Sequence, residues 1–354
     1  MKGETETPTR LIYMEHLLTP GKLLNEKGEL NEAGYAFSLV KEYRRGDIKA
    51  PRSRIKEWDY YYFGDDNYGV ALTIADNSYM ALISASVLDF RSKKEWTKSY
   101  MKWFTNGSLC LPSSSKDGNL IVIDEDGKYS FEFFNDKGAR HLVCSLKGLS
   151  KNNDFCVDVT LKETNPNSMV IATPFKGKKQ HFYYNQKINL LEANGSFRFG
   201  PITHDFSKAL GVLDWGRGVW TYSNTWYWSS MNGTYQGHNY GFNLGYGFGD
   251  NSAASENMFF YDNKAYKLED VTFNIPMNKK KENYLEKWTL TDSKGNINLT
   301  FEPLIDRASN TNALIIQSNQ HQVFGRFSGI VKANGKEYRF ENIIGFAEKV
   351  TNRW

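Results

Sequence analysis

From Trp58 onward the sequence is a succession of short runs rich in Tyr, Phe, Val, Ile and Thr, broken roughly every ten residues by Gly, Asn, Asp and Lys. EWDYYYFGDD, NYGVALTIADNSY, MALISASVLDF, KYSFEFFND, ARHLVCSLKGL, FCVDVTLKE and NSMVIATPF are the first of them. Within such a run, Phe155, Val157 and Val159 fall on one side of a pleated strand and Asp158 and Thr160 on the other. This is the grammar of an antiparallel meander, and about eight such strands suffice to close a barrel. After a break near residues 190–205 the same grammar returns, with hairpin signals at Asn263-Lys264, Lys294-Gly295-Asn296 and Asn334-Gly335. The expected architecture is all-β, with two barrels in tandem over residues 56–198 and 199–354. Residues 1–55 form an extended arm, in which only Tyr35 to Arg44 carries a helical pattern.

Composition agrees with that reading and narrows the function classes. The 23 Phe, 21 Tyr and 29 Gly suit a turn-rich β-protein. Lys and Arg total 44 against 40 Asp and Glu, and the surplus of +4 is scattered, which speaks against a nucleic-acid or membrane surface. The basic runs at Lys176–Lys179 and Lys279–Lys281 read as solvated loops. Cys110, Cys144 and Cys156 are an odd number with no CxxC spacing, as expected of reduced thiols in a cytoplasmic protein. The polar start MKGETETPTRLIY has no signal-peptide core, and no run of 18 apolar residues predicts membrane insertion.

The stretch LDWGRGVWTYSNTWYWSS, Leu213 to Ser230, stands out because it sets Asp214 and Arg217 among Trp215, Trp220, Trp226 and Trp228. Charges among large rings are costly to bury unless they pair or meet a ligand. Three residues apart, Asp214 and Arg217 fall on opposite faces of a strand, but Gly216 and Gly218 favour a turn in which they converge. His204, beside Asp205, and His238 are candidate proton carriers, and Glu256 is a carboxylate with no Lys nearby in sequence. Trp226 and Trp228 share a strand face; Tyr222, Tyr240 and Asn243 extend the expected lining. No GxSxG elbow, HExxH, P-loop or dinucleotide-binding turn is present, so neither metal nor organic cofactor is expected.

These phrases carry a resemblance. Trp58 with its aromatic followers, ADNSYMALISASVLDF, LDWGRGVWTYSNTWYWSS, the GFNLGYGF run, HQVFGRFSG and the terminal GFAEKVTNRW resemble the bacterial domain-of-unknown-function 2804 family over nearly the whole chain. YYNQKINLLEANGSFRFGP followed by Ala209 to Asp214 is similar to a pattern in carotenoid hydratases and related two-domain lipocalin-like proteins. Asp214 matches that motif's Asp, Leu213 stands where it prefers Met, and Trp215 stands where it prefers His. The resemblance implies two calycin-like barrels and an apolar or ring-shaped ligand.

The expected function is therefore binding of a small, largely apolar or ring-containing molecule where the barrels meet. Chemistry there would be acid–base isomerisation, hydration or cyclisation. Asp214 or Glu256 would act as acid, Arg217 would polarise a substrate oxygen, and His204 or His238 would relay the proton. A carbohydrate site is the alternative and requires coplanar, exposed tryptophans; a calycin without turnover is the third reading.

Overall fold

The computed structural model describes residues 15–313 and 316–353. In chain order its strands are β1 (Gly21–Lys22), β2 (Gly34–Ala36), β3 (Lys41–Glu42), β4 (Ile55–Gly64), β5 (Tyr68–Asp76), β6 (Met80–Asp89), β7 (Lys94–Trp103), β8 (Leu120–Ile123), β9 (Tyr129–Asp136), β10 (Ala139–Ser150), β11 (Asn153–Glu163), β12 (Met169–Phe175), β13 (Lys178–Phe199) and β14 (Ile202–Val219). They continue as β15 (Ser223–Tyr235), β16 (His238–Tyr246), β17 (Met258–Tyr261), β18 (Lys264–Lys267), β19 (Thr272–Asn274), β20 (Met277–Asn278), β21 (Lys281–Glu282), β22 (Trp288–Thr291), β23 (Ile297–Ala313), β24 (Ile316–Ala333) and β25 (Lys336–Arg353). Twelve strands form the first sheet, in the order β7-β6-β5-β4-β14-β13-β11-β10-β9-β8, with β12 and β2 branching from β13. Nine form the second, in the order β18-β17-β16-β15-β25-β24-β23-β22-β19.

Each sheet is antiparallel and curls around its own apolar lumen. In the first, the inward positions are alternate residues such as Tyr61, Phe63, Leu72, Ile74, Phe131, Val159 and Leu213. In the second they include Phe242, Leu244, Phe259, Phe301 and Phe340. The half-barrels pack back to back. Alternation should leave the other face of β4 and β14 polar, yet Tyr60, Tyr62 and Val212 there are buried against Trp228, Phe324, Ile344 and Phe346 of the second sheet. A strand covered on both faces reads as a nearly unbroken apolar run, which is why EWDYYYFG carries so many rings.

Three expectations are corrected. Tyr35 to Arg44 is extended rather than helical: β2 pairs with β12, and β3 with β1. Of the N-terminal arm, Met1 to Met14 lie outside the described residues. The change of sheet falls between Val219 and Ser223, not at residue 198, because β13 and β14 are partners in one sheet from Phe182↔Val219 to Phe199↔Ile202. The tryptophan-dense stretch is thus shared between the two sheets rather than belonging to the second.

Candidate functional site

The site grows out of the register of β13 and β14. Lys187 lies directly opposite Asp214, and Lys187 Nζ sits 2.9 Å from Asp214 Oδ1. Asp214 Oδ1 also accepts from Asn185 Nδ2 at 2.6 Å, and its Oδ2 from Trp58 Nε1 at 3.0 Å. Lys187 is 3% exposed at the side chain and stands 3.7 Å from the centroid of the Trp228 ring. A buried ion pair of this kind is tolerable because Asp214 keeps three donors and Lys187 a carboxylate and a ring face.

Around that pair the second sheet contributes two more acids. Glu256 follows β16 and reaches Asn243, whose Nδ2 donates to the Glu256 carbonyl at 2.7 Å and to Oε2 at 3.3 Å. Trp228 Nε1 donates to Asn243 Oδ1 at 2.7 Å. On β25, Glu348 accepts from Trp226 Nε1 at 2.9 Å and from Gln322 Nε2 at 3.0 Å. Burial pushes the Glu348 carboxyl up to about 7, against the pull of the Trp226 hydrogen bond, Lys187 and Arg307 and with help from Asp214. Burial likewise raises Glu256, opposed by Lys187 and the Asn243 hydrogen bond and reinforced by Asp214. Lys187 therefore acts on all three carboxyl groups, joined by Lys267 at Glu256 and by Arg307 at Glu348.

The aromatic wall beside them is built from both sheets. Trp58 stacks with Tyr183 at 6.0 Å and meets Trp220 edge-on at 5.2 Å, while Phe248 touches Tyr183, Trp220 and Trp226. Gly216 makes this possible, since a Cβ there would lie 1.9 Å from Trp58 Cζ2. A bulge at Asn189-Leu190, with Leu190 at φ 58°, turns both side chains out of the first sheet into the second. There Asn189 Nδ2 donates to Ser230 Oγ, Asn232 Oδ1 and the Phe242 carbonyl at 2.9–3.0 Å. Trp220 Nε1 and Asn185 Oδ1 are buried without a hydrogen-bond partner.

Of the residues expected at the site, Asp214, Glu256, Trp220, Trp226, Trp228 and Asn243 do meet at this junction. Arg217 does not pair with Asp214: the stretch is regular strand, so the two side chains point to opposite faces. Arg217 instead binds Asp59 at 3.0 Å and the carbonyls of Trp58, Gly216 and Pro112 inside the first lumen, where Trp215 also lies. His204 is ten residues from Asp214 on the same strand, on the order of 30 Å away at ~3.3 Å per residue, and contacts Asp65 at 2.6 Å. His238 is exposed and bound to Asp262 at 2.9 Å. Tyr240 packs in the second lumen with Phe259 and Phe340, and Tyr222 is exposed beside Arg54. Lys187, Asn185, Trp58, Tyr183 and Glu348 were missed. Their signal is a lysine and three amides in a run buried throughout, YYNQKINLL, and an acid in GFAEKV.

The tryptophans meet edge-on at 72–77° and are buried or half-buried, not coplanar on an open face. Among the described residues no group of three His, Cys, Asp or Glu side chains is placed to hold a metal ion, and no helix is long and apolar enough to cross a membrane. Two clefts open elsewhere. One of ≈ 480 Å³ is lined by Glu132, Ser145, Asp158 and Arg198 among others, and one of ≈ 510 Å³ lies beside Lys332 to Glu337.

Comparison with known proteins now adds the family. The profile of the domain of unknown function DUF2804 matches residues 14–354. The chain belongs to the DUF2804 family. No curated protein matches the sequence. Among solved structures, a candidate AttH from Nitrosomonas europaea superposes with a TM-score of 0.54 at 10% identity, covering 86% of this chain and 93% of that one. Kievitone hydratase from Nectria haematococca gives 0.49 at 13% identity, covering 95% and 98%. At these identities the likeness to the first is one of fold alone.

Proposed function

We propose that this DUF2804 protein binds a small, ring-bearing, largely apolar molecule at the back-to-back junction and moves a proton on it without a cofactor. Glu348 is the proton donor. Lys187, held by Asp214, faces the polar group of the ligand, and Trp58, Trp220, Trp226 and Tyr183 take its ring. The reading is carried by one observation: three enclosed carboxyl groups, Asp214, Glu256 and Glu348, lie in the field of Lys187 beside an aromatic wall. A merely structural junction would gain stability from apolar residues of the same volume. Two features accord with a ligand reaching this depth. Asp214, Tyr183, Trp228 and Glu256 each retain 6% of their surface accessible, and Trp220 Nε1 has no hydrogen-bond partner. A carboxyl poised near neutrality suits a general acid, which works best with a pKa near the operating pH.

The test is a titration of tryptophan fluorescence with polyphenols, retinoids and carotenoids against a panel of sugars. Ring compounds that bind are then incubated in D2O and followed by mass spectrometry. Quenching by a ring compound, with deuterium uptake lost in Glu348→Gln, supports the reading. Quenching by sugars alone, or uptake unchanged in Glu348→Gln, rejects it.

A further inference from the structure

The lumen of the first half-barrel holds a second polar constellation, distinct from the junction. Arg217 and Arg140 project into it with side chains 0% and 1% exposed. The natural partner of a guanidinium Nε/Nη2 edge is a carboxylate, whose two oxygens accept two parallel hydrogen bonds. Neither arginine has one there. Arg217 directs both Nε and Nη2 at a single oxygen, the Pro112 carbonyl, at 3.3 and 2.7 Å. Arg140 gives Nη2 to the Ser115 carbonyl at 2.9 Å, and its Nε has no partner. Trp215 Nε1, also in this lumen, is a second buried donor without a partner. Asp59 and Glu163 are engaged by the Nη1 atoms, so they leave both edges to the loop.

Both carbonyls belong to one irregular segment, residues 104–119, between β7 and β8. It exceeds the ~12–15 residues above which connections without regular structure are uncommon and usually functional. One end is held at Asp76, which accepts from Thr105 Oγ1 at 2.8 Å and from the Gly107 amide at 3.0 Å. Farther along, Leu111 is buried in the lumen's apolar cluster with Leu109 packed beside it. The segment therefore presents an apolar side chain followed by carbonyl oxygens on an arginine edge. That is the outline of an amphiphilic acid.

We propose that this lumen is a binding site for an amphiphilic carboxylate, and that Leu111, Pro112 and Ser115 of the segment 104–119 occupy part of it as an internal stand-in. Leu111 takes the place of the ligand's apolar body, and the Pro112 and Ser115 carbonyl oxygens take the place of its carboxylate. Binding expels the segment and gives the arginine edge the two-oxygen partner it lacks. The site is independent of the junction and stands whether or not Glu348 is a proton donor.

The experiment uses the full chain with decanoate and, as the uncharged control, decanol. Amide hydrogen exchange is followed by mass spectrometry over residues 104–119, and affinity by calorimetry. Decanoate is expected to accelerate exchange in this segment several-fold while decanol leaves it unchanged. Leu111→Ala, which loosens the stand-in, should tighten decanoate binding roughly ten-fold or more. In that background Arg217→Lys and, separately, Arg140→Lys should each weaken it, with circular dichroism confirming the fold; two variants guard against one failing to fold. The proposal is overturned if decanoate leaves exchange in 104–119 unchanged in both wild type and Leu111→Ala. It is equally overturned if decanol acts as strongly as decanoate.

Discussion

At the scale of single residues, the junction is governed by how many charges share one lysine. Glu348 in the folded chain titrates near 7 against an ordinary 4.5, so the folded state holds its proton more tightly. Below pH 4.5 both states are protonated and the contribution to stability is complete. As pH rises through the window from 4.5 to 7 the unfolded chain releases its proton first, and stability falls by about 3 kcal/mol. Glu348→Gln should abolish that slope, which thermal melts between pH 4 and 8 will read. Lys187 and Asp214 form the other coupled unit. Lys187→Met leaves Asp214 buried without its counter-charge and should cost about 3–5 kcal/mol. Adding Asp214→Leu should recover part of that loss, so a urea-denaturation cycle should return a coupling of about 2 kcal/mol or more. Arg217→Met should be as destabilising as Lys187→Met, since it strands Asp59, yet it should leave ligand quenching at the junction unchanged.

At the scale of elements, the site depends on places where a strand departs from plain alternation. Gly216 lies under the Trp58 ring, and Gly216→Ala must push that ring away from Asp214. The expected loss is about 1–3 kcal/mol, with ligand quenching weakened as well, measured by melts and fluorescence on the same protein. These departures also explain what the sequence made legible. The density of tryptophans around one acid identifies Asp214 and Trp220 as candidates, and period-two alternation places Asp214 and Arg217 on opposite faces. The glycines beside them invite a turn, whereas the chain uses Gly216 to admit a neighbouring indole. Lys187 and Glu348 were hidden because alternation tells which residues share a face, not which face another sheet will cover. His204 and His238 are suggestive only by residue type, and each is satisfied by an aspartate brought from another strand or turn, Asp65 and Asp262.

At the scale of the whole molecule, the two half-barrels are joined by polar as well as apolar contacts. Arg307 of β23 donates to Ser86 Oγ of β6 at 2.8 Å and to Gln322 Oε1 at 2.7 Å, and Asn189 ties β13 to β15 and β16. Far-UV dichroism and tryptophan fluorescence should therefore follow a single coincident urea transition; two separated transitions would show that the sheets fold independently. Among the described residues the chain passes from one sheet to the other at Trp220 to Tyr222, and Trp220 is itself wedged between Trp58, Trp226 and Phe248. What opposes separation of the halves is the apolar packing of Tyr60, Tyr62 and Val212 on Trp228, Phe324 and Phe346. On the proposed reading a ligand reaches Asp214 at the rim, past the half-buried Trp58 and Trp226, and swivelling of those indoles would then gate its arrival.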